Sequence, residues 1–217
     1  NIYLHYVLDE WFETVVKPRL KGEAYEIRYA DDFILCFQYQ DDAEKVLDVL
    51  NKRFAKYGLK LHPEKTRLMA FGRQALAQSE KPGGRKPATF DFLGFTHICK
   101  RSRKGKFSVQ VRTMRKRIRR SLKNVAAWCK EHRHDPVEEQ QKTLNRKLQG
   151  HYQYYGRPTN YQSLWEFFRS VRRTWKYWLN RRTRGHTVNW DVFAHLLERH
   201  PLLKPRITHS WASAPAW

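Results

Sequence analysis

The sequence predicts an α+β fold, in which a small antiparallel sheet with helices precedes an α-helical bundle. Three observations predict it. Residues 24–39 alternate apolar and polar side chains before becoming almost continuously apolar, whereas three later segments repeat apolar residues every three or four positions. The charge also changes along the chain. The 217 residues hold 43 Lys and Arg against 21 Asp and Glu, a formal charge of +22. Residues 1–98 carry 15 basic and 14 acidic side chains, and residues 99–217 carry 28 and 7, so domains are expected at 1–98 and 99–217. With 8 Trp, 12 Phe and 11 Tyr there is ample apolar material for a core, which excludes a disordered polycation.

The first region opens with an apolar stripe, Leu4, Val7, Leu8, Trp11 and Val15, on one helical face that Pro18 ends. Tyr25, Ile27 and Tyr29 then alternate with polar neighbours, Ala30-Asp31-Asp32 interrupts, and Phe33 to Tyr39 resumes. This reads as strand, tight turn, strand. Asp41 and Glu44 resemble a capping box before a helix carrying Val46, Leu47, Leu50, Phe54 and Tyr57, which stops at Gly58. Residues 68–71 form a short strand candidate, and residues 74–89, with two Pro and two Gly, read as a surface loop. Phe90 to Ile98 and Phe107 to Val111 are expected to be two further strands joined by the basic turn 100–106.

In the second region Met114, Ile118, Leu122, Val125 and Cys129 mark one helix. Val137, Leu144, Leu148, Tyr152 and Tyr155 mark the next. Thr159 or Asn160 can cap a third, with Leu164, Phe168, Val171, Trp175 and Leu179 inward and Arg169, Arg172, Arg173 and Lys176 on another face. A fourth segment, about 190–200, completes a three- or four-helix bundle.

Several function classes are excluded or disfavoured. The longest apolar run, Phe33 to Phe37, is far too short to cross a bilayer, so no membrane partner is expected. Asp9, Glu10 and Glu13 lie among the early apolar residues without a basic leader, so no secretory signal is expected. The chain begins at Asn1 rather than Met, which leaves room for an upstream segment. Cys36, Cys99 and Cys129 are widely separated and His132 and His134 stand alone, so neither a disulfide framework nor a zinc site is expected, and a reducing compartment fits.

Asp31 and Asp32 carry the chemical signal. Adjacent carboxylates repel unless a cation lies between them, and on a regular strand they would point to opposite faces. On a bend, both can approach one metal. Mg²⁺ takes few protein oxygens and completes its shell with water and substrate phosphates, the pattern of nucleotidyl-transfer sites. The alternative is an acidic hairpin turn with no ligand.

Tyr29-Ala30-Asp31-Asp32, flanked by Ile27, Arg28, Phe33, Ile34 and Leu35, resembles the YxDD hairpin of reverse transcriptases. Residues 58–66, GLKLHPEKT, resemble the block that follows the palm helix, and residues 90–95, FDFLGF, resemble the block that borders the primer grip. Asn1 to Leu4 resembles the end of the segment before the palm helix. Tyr154-Tyr155-Gly156-Arg157 and the Trp-rich helix to Trp178 are similar to the thumb, or maturase X region, of group II intron reverse transcriptases.

The resemblance implies a partial polymerase palm at 1–98 and a basic thumb at 99–217. It implies an RNA-directed DNA polymerase that uses Mg²⁺, dNTP, an RNA template, a DNA primer and their RNA/DNA hybrid, and that binds group II intron RNA to aid splicing. Asp31 would lie most directly on the metals with Asp32 beside it, while Tyr29 and Ala30 would lie near the primer terminus. Lys65 is either a partner of the pyrophosphate leaving group or an ordinary solvated lysine. Leu93, Gly94 and Phe95 would hold the primer strand, a buried strand with a bulge being compatible with that role. Arg115, Arg119, Arg172 and Arg173 are expected to contact nucleic acid, because a strongly basic half repels itself without a polyanionic partner. A bacterial cytoplasm is the implied location.

The departure is as informative. The family's two-metal site needs another aspartate from an earlier palm strand, and its fingers also come earlier; neither is in this sequence. The 217 residues alone are therefore expected not to extend a primer. Two readings stay open: a polymerase whose first part lies elsewhere, and an RNA-binding maturase or splicing factor that does no polymerisation. No DNA-cleaving domain is expected after about residue 210 of this sequence.

Overall fold

The computed structural model describes residues 1–182, 185 and 188–210. They form two compact units, the first ending at Ala70 and the second starting at Phe71. The basic excess falls in the second unit. Residues 1–70 carry 11 basic and 12 acidic side chains, and residues 71–217 carry 32 and 9.

In the first unit, helix α1 (Ile2–Leu4) runs on through π-helical turns at His5–Asp9 and Phe12–Val16 into a 3-10 turn at Lys17–Arg19, where Pro18 ends the helix. The wider π turns bring Val7, Leu8, Trp11, Phe12 and Val16 onto one face, although Trp11 and Val16 are five residues apart. That face packs against Val46, Leu50 and Phe54 of helix α2 (Gln40–Lys56) and against Ala24. Strands β1 (Ala24–Tyr29) and β2 (Asp32–Phe37) pair antiparallel from Ala24 opposite Phe37 to Tyr29 opposite Asp32. Phe33, Leu35 and Phe37 lie on the core face, while Tyr25, Ile27 and Tyr29 point outward.

Helix α2 has no capping box. Tyr39 is its N-cap residue and makes no side-chain cap. Asp42 is buried instead and accepts the backbone N–H groups of Lys21 (3.0 Å) and Gly22 (3.2 Å), while Asp41 pairs with the Lys21 ammonium. The acidic first turn of α2 thus anchors the loop leading to β1. At the other end the Leu59 N–H reaches back to the Phe54 carbonyl (2.8 Å) across Gly58, whose φ of +68° favours a residue without Cβ.

The second unit opens with an unpredicted helix, α3 (Arg73–Ser79), where a loop was expected from 74. The Pro and Gly residues that suggested the loop are confined to 82–87; the preceding Ala- and Gln-rich stretch forms a helix with Ala75 buried. Residues 68–71 form no strand, because nothing pairs with them. The single strand expected over Phe90 to Ile98 is two, β3 (Phe90–Phe92) and β4 (Phe95–Arg101), folded back on each other at Leu93-Gly94. Strand β5 (Phe107–Thr113) completes a sheet of order β3-β4-β5.

Helices α4 (Arg115–Glu131), α5 (Val137–Tyr155), α6 (Tyr161–Leu179) and α7 (Trp190–Arg199) form the helical bundle. Its core joins Val125 and Cys129 to Leu144, Leu148, Tyr152, Leu164, Phe168, Val171, Trp175 and Phe193. Asn160 occupies the cap position of α6 without capping it. Its fully buried amide accepts the Thr113 N–H (2.8 Å) and donates to the Thr113 hydroxyl (2.7 Å) and the Tyr155 carbonyl (2.8 Å), tying the sheet to the bundle.

Candidate active site and nucleic-acid surface

The β1–β2 connection is two residues long, Ala30 and Asp31, because Tyr29 and Asp32 already pair. Such a hairpin needs positive φ at its first or at both central positions to match strand twist. Ala30 supplies it at +58°. An alanine there is strained relative to glycine, and strain of this kind gathers where geometry matters for function. The turn leaves Asp31 and Asp32 exposed, with no side-chain hydrogen bond or ion pair to either carboxylate among the described residues.

The turn is braced from beneath. Arg28 donates from Nη1 to the Ala30 carbonyl (2.8 Å), and its Nε and Nη2 clasp both carboxylate oxygens of Asp9 on the N-terminal helix. Both partners are largely buried, at 16% and 25% side-chain exposure, which strengthens a bidentate pair. Burial works to raise the Asp9 carboxyl, but hydrogen bonds with Arg28, Glu26 and His5 outweigh it and hold it below the usual carboxylate range. Glu26 moves the other way, to about 7, through burial and its hydrogen bond with Asp9.

Sequence reading missed this brace. Its signal is the phase of β1, in which Glu26 and Arg28 share the inward positions while Tyr25, Ile27 and Tyr29 face out. Charged residues on the core side of a strand call for partners, and Asp9 meets that need.

Asp31 and Asp32 suit a hard cation: two carboxylates with free lone pairs and no competing cation. Among the described residues no third His, Cys, Asp or Glu joins them into a full metal cage. Mg²⁺ held by one or two carboxylates and completed by water and phosphate oxygens needs no cage. Lys65 is exposed on a turn closed by backbone bonds from Lys65 and Thr66 to the His62 carbonyl, and no contact links it to the aspartates.

In the second unit the β3–β4 turn holds Leu93 at φ +48° and Gly94 at +79°, the sign pattern of a type I′ turn. Ala30 and Leu93 are the two non-glycine residues of positive φ among the described residues; the first lies in the turn expected from the sequence, the second in the FDFLGF block that was expected to be one strand. The Tyr154 hydroxyl donates to the Leu93 carbonyl (2.9 Å), Phe95 stacks on Tyr154, and a Cβ on Gly94 would meet the Tyr155 hydroxyl at 3.2 Å. This turn is therefore fixed by the end of α5. Gly94 and Phe95 are both buried, which leaves half-buried Leu93 as the part of the turn nearest solvent.

Arg115 and Arg119 are exposed on α4, and Arg173 on α6; none has an acidic partner among the described residues. Arg172 is half-buried, with its Nε sequestered from water and unpaired. The structure brings Arg172 and Arg173 together with Arg169 and Trp190 around one concavity.

A comparison with curated proteins finds no match. Residues 1–97 match the family described as reverse transcriptase (RNA-dependent DNA polymerase), a span that contains both the Asp31-Asp32 turn and the Leu93-Gly94 turn.

Proposed function

We propose that the chain is the palm and thumb portion of a group II intron reverse transcriptase, which adds deoxynucleotides to a primer on an RNA template and binds intron RNA to aid splicing. The observation that carries this reading is the exposed, uncompensated Asp31-Asp32 pair on a strained two-residue turn braced by Arg28. The family match over residues 1–97 supports it.

Asp31 and Asp32 would hold Mg²⁺, which when bound polarises the phosphoryl group and offsets charge on the attacking and leaving oxygens. The chain's own residues do the rest. Arg28 fixes the Ala30 carbonyl and so the direction in which both carboxylates project, a preorganisation that avoids reorienting them during the reaction. Tyr29, 66% exposed beside the turn, offers a flat apolar face to a primer-terminal nucleotide. Leu93 borders the primer strand at the β3–β4 turn, with Gly94 packed beneath it and Tyr154 fixing the course of the turn. Exposed Arg115, Arg119 and Arg173 neutralise phosphates of the RNA/DNA hybrid. Lys65 is placed on a solvated turn, free to approach a polyphosphate.

The strongly basic second unit also favours intron RNA as a partner, whichever chemistry the first unit performs. Primer extension by the full-length gene product on an RNA template with Mg²⁺ is the test. Asp31→Asn is expected to reduce extension by at least about a hundredfold, in line with loss of a principal electrostatic group. Wild-type extension by that variant would overturn the polymerase reading. The 217-residue chain alone is expected to bind nucleic acid without extending it.

A further inference from the structure

Helix α6 places Arg169, Arg172 and Arg173 at i, i+3 and i+4, so the three guanidinium groups share one face within little more than a turn. Trp190, at the start of α7, closes a notch over them. Among the described residues no carboxylate pairs with any of these arginines; Asp191 and Glu166, the nearest acids in sequence, form no ion pair with them. Three like charges so close raise the free energy of the empty notch. The buried, unpaired Nε of Arg172 adds the cost of an unsatisfied donor. An anion with several acceptor oxygens relieves the repulsion, and planar guanidinium forks match phosphate bidentately.

Trp190 supplies the second half. It is 54% exposed, far more than a core tryptophan, and touches Phe193 edge-on, so it is held upright by the bundle without being buried in it. The Lys176 ammonium lies over its ring at 4.8 Å, which shows that one face is open to a cation and, on its withdrawal toward a phosphate, to a base. A stacking surface beside a phosphate site is the chemistry of an unpaired nucleotide, since a base inside a duplex offers no free face.

The geometry points to a nucleotide-binding notch between α6 and α7 that takes an unpaired nucleotide of single-stranded nucleic acid, with its phosphate on Arg169, Arg172 and Arg173 and its base on Trp190. This rests on the nucleic-acid reading of the second unit and adds a discrete subsite to a surface otherwise suited to duplex backbone.

The test measures binding of the 217-residue chain to three labelled probes: single-stranded oligouridylate of about twelve nucleotides, an abasic oligomer of the same length, and an RNA duplex. Wild type is expected to bind oligouridylate about tenfold more tightly than the abasic strand. Trp190→Ala is expected to remove that difference while leaving abasic and duplex affinities unchanged, and Arg172→Gln to weaken both single strands. Trp190→Phe, which keeps a ring in place, is expected to retain the preference for bases and to show less fluorescence quenching by oligouridylate than wild type, a readout free of any folding defect. Equal wild-type affinity for oligouridylate and abasic strand, equal quenching in wild type and Trp190→Phe, or a Trp190→Ala loss as large on duplex as on single strand overturns the notch and leaves the nucleic-acid reading standing. Absence of salt-dependent binding to all three probes overturns both.

Discussion

Arg28 and Ala30 are linked by a hydrogen bond of 2.8 Å from guanidinium to carbonyl, and the same guanidinium holds Asp9 with its other two edges. One side chain thus connects the N-terminal helix to the turn that presents two aspartates. Arg28→Lys is expected to keep the charge but lose the planar fork, uncoupling Asp9 from the turn. Arg28→Ala should cost about 1–3 kcal/mol by leaving the Asp9 carboxylate without its main partner. A double-mutant cycle with Asp9→Asn, read by chemical denaturation, checks the pairing; a coupling energy near zero would show that the two residues act independently. In the primer-extension assay of the proposed function, Arg28→Lys should lower kcat more than it raises KM, because it alters how the carboxylates are aimed rather than which substrate is held.

Glu26 lies beside that pair and makes stability fall as pH rises. Its folded carboxyl titrates near 7 against an ordinary value of 4.5, so the folded state keeps a proton that the unfolded state releases between those values. The contribution is fully present below about pH 4.5 and is lost as pH rises through 7. Glu26→Gln is expected to leave stability at pH 5 nearly unchanged and to raise it at pH 8 by about 1–2 kcal/mol, allowing for its partial exposure. Hydrogen exchange of β1 and β2 amides in the whole chain reads the effect, and a variant less protected than wild type at pH 8 would count against it.

His151 in the bundle gives the opposite dependence. It is buried and stacked on Phe167 at 3.8 Å, with Nε2 unpaired, and burial alone pushes its imidazole down to about 4. The unfolded state takes up a proton below about 6.5 and the folded state does not, so stability is full above that pH and is lost as pH falls toward 4. The loss by pH 4 is about 3 kcal/mol. His151→Phe, which keeps the stack and removes the titration, should flatten the acid limb of the bundle's exchange profile.

Much of this was legible because it is written in local periodicity. The β1–β2 hairpin, α2 and the bundle helices follow apolar spacings of two or of three to four, and the YADD block marks the first turn of left-handed backbone. What escaped was decided by contact between distant residues. Asp41 and Glu44 resembled a capping box, yet it is the neighbouring Asp42 whose carboxylate is buried, serving the amides of Lys21 and Gly22. Asn160 looked like a cap and is a buried tie between sheet and bundle. Trp190 and Arg172 lie 18 positions apart, so no window of sequence joins them into a notch. The β3–β4 turn was hidden because Leu93 is an unusual residue at positive φ, and apolar character there reads as an unbroken strand.

Asn160 offers a clean measure of how strongly the sheet and bundle depend on a single polar residue. All its bonds are made in a fully buried site, so Asn160→Ala leaves the Thr113 N–H and the Tyr155 carbonyl without this partner. Destabilisation of about 2–4 kcal/mol is expected from unsatisfied buried groups. Asn160→Asp keeps the acceptor but turns the two donated bonds into carboxylate–oxygen contacts, and should be at least as damaging at neutral pH while recovering as acid protonates the carboxyl. Thermal melts at pH 7 and pH 5 distinguish the two variants, and an Asn160→Asp protein as stable as wild type at pH 7 would show that the amide donors contribute little.

Ala30 tests whether the strained turn serves chemistry or merely tolerates its sequence. Glycine adopts φ near +58° without the clash that alanine's Cβ suffers, so Ala30→Gly should relieve about 1 kcal/mol of strain in the folded hairpin. The added freedom of glycine in the unfolded chain offsets part of that, leaving stability within about 1 kcal/mol of wild type. Activity should respond differently. A looser turn lets Asp31 and Asp32 sample more directions, so under the proposed function primer extension should lose kcat while affinity for template and primer is kept. Ala30→Val, whose branched side chain is worse suited to positive φ, should lose both stability and activity. If Ala30→Gly matches wild type in kcat, the rigidity of the turn has no part in catalysis, and the Arg28 brace is a structural contact alone.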